Sequence, residues 1–112
     1  MSQVGTIFTD DAGDMAGGIR SLKVRQAFRL VENEEPAAEG SDPAKWPAYK
    51  VQAKAADGEF VEIGAAWQKS KTDDRGRLDY LSISLTDPDL PEWCRNLAAF
   101  PGNNPGEYRV VT

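Results

Sequence analysis

The sequence predicts a mainly β domain: a strongly curved antiparallel sheet or small β-barrel with at most short helical turns. Three observations predict it. Roughly seven or eight short runs alternate apolar and polar residues between turn signals. No apolar helical period persists beyond about two turns. A central pair of runs, residues 60–70 and 79–85, alternates in the manner of a β-hairpin with one apolar face. A two-layer sandwich is the alternative, which periodicity alone leaves open.

The elements follow in chain order. Val4, Thr6 and Phe8 alternate with Gln3, Gly5 and Ile7, and the Asp10-Asp11-Ala12-Gly13-Asp14 run supplies a reversal. A second strand is expected over residues 15–24, where Gly17-Gly18 implies a bulge, a bend or a close backbone approach. Residues 26–31 fit a third strand, with Phe28 and Leu30 on one side, in preference to a short helix. Residues 34–47 hold Pro36, Gly40, Pro43 and Pro47 among acidic and alanine residues, which predicts a flexible acidic, proline-rich loop at 33–47. Tyr49, Val51 and Ala53 then alternate with Lys50, Gln52 and Lys54, and Asp57-Gly58 marks a tight turn into Phe60.

In the next run Val61, Ile63, Ala65 and Trp67 share the expected core side, and Gly64, Ala66 and Gln68 share the other. Leu81, Ile83 and Leu85 face inward opposite Tyr80, Ser82 and Ser84, with residues 71–77 as a charged loop longer than the tightest turns. Residues 87–93 read as a helical turn or proline-rich loop, 96–100 as a brief strand and 108–111 as the last.

A chain of 112 residues is expected to form a single globular domain over 1–112. No basic segment followed by an apolar run opens it and no stretch approaches about 20 apolar residues, so the expected setting is the cytoplasm, without a membrane. Cys94 is the only cysteine and histidine is absent. That removes an internal disulfide, the usual zinc ligand sets and the base of a conventional hydrolase triad, leaving Cys94 as a small apolar residue. Asp10, Asp11 and Asp14 lack EF-hand spacing, and Asp87 and Asp89 fit loop and cap positions. No glycine-rich phosphate-binding pattern occurs. The expectation is a non-enzyme with no catalytic residues, no metal and no cofactor.

Net charge is −5, unevenly spread. Arg20, Lys23, Arg25 and Arg29 form a basic segment with no acid between Met15 and Val31, and acidic residues follow at 32–42. The main candidate binding surface is the outer face of the hairpin: Gly64, Ala66, Gln68, Tyr80, Ser82 and Ser84, flanked by Lys69, Lys71, Arg75 and Arg77. Small residues there admit a flat partner, and an aromatic ring beside cations suits stacked bases and phosphates. Whether the two basic segments share a face is open.

Gly5-Thr6-Ile7-Phe8, Gly18-Ile19-Arg20-Ser21-Leu22, Tyr49-Lys50-Val51, the run from Glu62 to Ser70, and Asp79-Tyr80-Leu81-Ser82-Ile83-Ser84-Leu85 with Asp87-Pro88 resemble the bacterial family catalogued as domain of unknown function 736. The resemblance spans most of the chain; residues 32–47 and 101–106 are longer than in compact members. It implies a cytoplasmic protein of mobile genetic elements and carries no site residues. The resulting expectation is a small accessory module that binds a protein partner or self-associates through a sheet face. The alternative is single- or double-stranded nucleic-acid binding through Tyr80 and its basic neighbours.

Overall fold

A computed structural model describes residues 3–34 and 46–112. Eight strands follow one another: β1 (Gln3–Thr9), β2 (Met15–Arg20), β3 (Arg25–Glu32), β4 (Tyr49–Lys54), β5 (Phe60–Asp73), β6 (Gly76–Leu85), β7 (Leu97–Pro101) and β8 (Glu107–Val111). Each pairs antiparallel with the next, and β8 returns to pair with β1, so the sheet is a closed barrel. Closure satisfies the edges that an open sheet would leave unpaired. The β6–β7 connection carries a 3-10 helical turn, Glu92–Arg95.

Alternation puts one apolar set inside. Ile7, Ile19, Val51, Ile83, Leu85 and Val110 are almost completely buried, with Phe28, Leu30, Leu81 and Leu97 beside them. Each such side chain contributes about 1.5–3 kcal/mol by leaving water. Cys94 is buried in the same core, and Leu90 and Trp93 pack against it. The β6–β7 connection thus folds over the end of the barrel where Val24, Ala53 and Ile63 line a groove with Asp87 and Leu90.

Several expectations change. The second strand stops at Arg20, because Ser21 turns the chain: its N–H donates to the Val24 carbonyl at 2.7 Å, and its Oγ accepts from the Val24 N–H at 3.2 Å. Of the alternatives open at Gly17-Gly18, the close backbone approach is the one that holds, since a Cβ on Gly17 would lie 2.0 Å from the Thr6 carbonyl oxygen. The β5–β6 loop is a two-residue turn, not the longer loop over 71–77. Asp73 pairs with Gly76, Gly76 adopts φ +108°, and the Asp73 carboxylate accepts from the Arg75 N–H at 2.8 Å. The strands therefore run on, and residues 69–73 and 76–79 project beyond the ladders that β4 and β7 make with them.

The largest correction concerns the faces of β5. Val51 pairs with Gly64 but Gln52 pairs with Glu62, which leaves Ile63 as an extra residue. This β-bulge inverts the alternation. Ile63 faces inward, and beyond it Gly64 and Ala66 face inward too, opposite Leu85 and Ile83. Ala66 is fully buried. Ala65 and Trp67, expected inside, pair with the outward Ser84 and Ser82, where Trp67 is half-buried. Val61 lies opposite buried Ala53 but at the barrel end, 42 % exposed.

Of the loop expected at 33–47, residues 35–45 lie outside the described residues. Asn33 ties the two flanks together, its N–H donating to the Ala48 carbonyl and its Nδ2 to the Pro47 carbonyl, each at 2.9 Å.

Candidate nucleic-acid interface

On the outer wall Lys69 pairs with Tyr80, Trp67 with Ser82, and Ser82 with Ala98. The next step of that register sets Phe100 beside Tyr80, and the rings stack with centroids 5.2 Å apart and planes inclined by 28°. Lys71 reaches over from β5, its Nζ 5.1 Å from the Phe100 centroid. Arg109 is the partner of Phe100 on β8. Two rings are thereby bounded by Lys69, Lys71 and Arg109. Among the described residues none of these three cations is in an ion pair.

Five of the ten residues expected on this surface share that wall: Lys69, Lys71, Tyr80, Ser82 and Ser84. Gly64 and Ala66 do not, because the bulge turns them into the barrel. Gln68, paired with Leu81, belongs to the inner side and is exposed only because β5 passes the barrel rim there. It lines a cleft of about 280 Å³ with Ser70, Asp79 and Tyr108. Arg77 stands on that same side, its Nε 3.0 Å from the Asp79 carboxylate, and Arg75 sits at the hairpin tip.

The basic segment is elsewhere. Arg20 and Arg25 are opposite one another on β2 and β3, Arg29 is on β3, and Lys23 is in the turn between them. β4 separates this group from β5 on one side, while β7, β8 and β1 intervene on the other. Arg29 is occupied: its Cζ lies 3.5 Å from the Phe60 ring centroid, and Nε and Nη2 donate to Gln52 Oε1 at 3.1 and 2.9 Å. The two basic segments therefore do not share one face.

Sequence reasoning missed Phe100 and Arg109. Alternation could have turned both outward, since Leu97, Ala99 and Val110 are core residues, but only the strand order brings them to Tyr80.

Cys94 lies in the core, where burial pushes its thiol up from the ordinary range and holds it protonated. Among the described residues no group of three or more His, Cys, Asp or Glu is placed to hold a metal ion.

A family model described as a protein of unknown function, DUF736, matches residues 3–111. The chain belongs to the DUF736 family. No curated protein and no solved structure matches this DUF736 member. No helix among its described residues is long and apolar enough to cross a membrane.

Proposed function

We propose that this DUF736 member binds single-stranded nucleic acid on the outer wall of β5 to β8. The observation that carries the reading is the Tyr80–Phe100 stack bounded by Lys69, Lys71 and Arg109. Aromatic faces accept unpaired bases, and cations without acidic partners contact the phosphates that follow them. The wall can stay basic locally although the whole chain carries −5. Binding without catalysis is the proposed role, in a cytoplasmic setting, and DNA as a ligand fits the mobile-element context that the family resemblance implies.

Fluorescence anisotropy with a labelled oligothymidylate tests it. Affinity should fall linearly with salt on logarithmic axes. Tyr80→Ala should weaken binding by about 5- to 150-fold, the equivalent of about 1–3 kcal/mol per stacked base. Salt-independent affinity, or full affinity in Tyr80→Ala, would defeat the proposal.

Self-association through the same wall is the second reading, supported by Trp67. It lies opposite Ser82 with Ala65, Ser84 and Ala98 nearby, and a tryptophan among small residues suits an interface anchor. Sedimentation of the free protein separates the two readings: a mass that doubles with concentration and reverts in Trp67→Ala supports self-association, and an unchanging monomer opposes it.

A further inference from the structure

Resting on the nucleic-acid reading, we propose that the bound strand leaves the Tyr80–Phe100 stack past Arg109 and continues across β1, β2 and β3 toward Arg20 and Arg25. The register supplies the path. Outward residues run from Phe100 to Arg109, from Arg109 to Thr6, from Thr6 to Gly18 and from Gly18 to Ala27. Past Arg109 the side chains become small, and a shallow groove lies over Thr6, Gly18 and Ala27.

Its two banks differ. On one stands Phe8, paired with Ala16 one outward step from Thr6 and Gly18, and 58 % exposed. On the other stand Arg20 and Arg25, opposite each other and both exposed. Among the described residues neither arginine side chain is in an ion pair or hydrogen bond. The nearby carboxylate of Glu107, beside Phe8, accepts from Asn104 Nδ2 at 2.8 Å. An aromatic ring on one bank and two cations on the other repeat the chemistry of the Tyr80 wall, with Arg109 as the link. A ring exposed this far is matched to an unpaired base, and arginines to the phosphates beside it.

Length follows from strand spacing. From Tyr80 on β6 to Ala27 on β3 there are five inter-strand steps, about 24 Å at the usual 4.8 Å. That accommodates roughly seven nucleotides at about 3.4 Å each, and fewer when extended.

The test is the salt dependence of binding to an oligothymidylate of about 12 nucleotides for the full chain and three variants. Arg20→Gln combined with Arg25→Gln should reduce the slope of log K against log salt by about 1.4, since each single-strand phosphate contact contributes about 0.7. Arg109→Gln should reduce it by about 0.7. Arg95→Gln, in the 3-10 turn of the β6–β7 connection and off the outer-wall path, should leave the slope unchanged. All four residues are exposed, so folding is preserved, which circular dichroism checks. If the unaltered protein binds with a clear salt slope but the Arg20/Arg25 variant keeps it, the path is wrong while the Tyr80 site stands. An equal loss in Arg95→Gln also overturns the path, by making the effect one of overall charge. If the unaltered protein does not bind, both proposals fall.

Discussion

Replacing Gly64 by alanine should damage the barrel far more than a single methyl suggests. Gly64 lies so close to β6 that a Cβ would stand 2.1 Å from the Ser84 carbonyl oxygen and 2.8 Å from Leu85 Cα. Ordinary contact begins at 3.4 Å, so the oxygen would have to retreat by about 1.3 Å. Both obstructing atoms are backbone within the β5–β6 ladder, where no rotamer change gives relief. Overpacking of this kind costs about 1–3 kcal/mol, and a weakened ladder hydrogen bond about 1 more. The lower entropy of an unfolded alanine offsets about 0.4–1 kcal/mol. A net loss of about 1–3.5 kcal/mol is expected. Urea unfolding followed by tryptophan fluorescence reads this as a midpoint lower by about 1 M, for slopes of about 1–3 kcal/mol per molar. Gly58→Ala is the comparison: its φ of +86° is strained for alanine, but nothing lies within 4 Å of the new Cβ, so the loss should be about 1–2 kcal/mol. A Gly64→Ala midpoint at or above that of the parent would refute the close-approach reasoning.

Three further outcomes are expected. Ile83→Ala, at a position 1 % exposed, should cost about 2–5 kcal/mol in urea unfolding, whereas Ser82→Ala on the outer wall should stay within about 0.5. Cys94 should resist alkylation in the native protein and react readily in urea. Its raised thiol pKa also stabilises the fold fully below the unfolded thiol's pKa, and that contribution should be lost as pH rises from there through the folded value, which alkaline unfolding measures. Phe60→Ala should cost about 0.5–1 kcal/mol by removing the ring beneath Arg29, a loss that Arg29→Gln should largely reproduce in thermal melts.

Much of the barrel was legible because alternation is a local property. Phe28 with Leu30, and Leu81 with Ile83 and Leu85, point inward as their spacing predicts. The Asp57-Gly58 turn forms as expected, with Glu59 N–H donating to the Asp57 carboxylate at 2.9 Å. The bulge at Ile63 was not legible. An extra residue in a strand leaves the composition unchanged, yet it turns Gly64 and Ala66 inward and Trp67 outward. The charged run 71–77 concealed how far β5 and β6 extend, since Lys71, Thr72 and Arg77 suit a loop as well as a projecting ribbon. Of the candidate site, Tyr80, Lys69 and Lys71 were visible from one hairpin. Phe100 and Arg109 join them only through the β6–β7 and β7–β8 pairings, which no local pattern encodes.

The most direct test of the nucleic-acid interface is amide chemical-shift mapping of the labelled protein during titration with an oligothymidylate. Shifts concentrated at Lys69, Lys71, Tyr80, Phe100 and Arg109, with the Lys54 and Phe60 side of the barrel unmoved, are the predicted result. Shifts confined to the Phe60 side, or none at oligonucleotide concentrations that saturate ordinary single-strand binders, would contradict it.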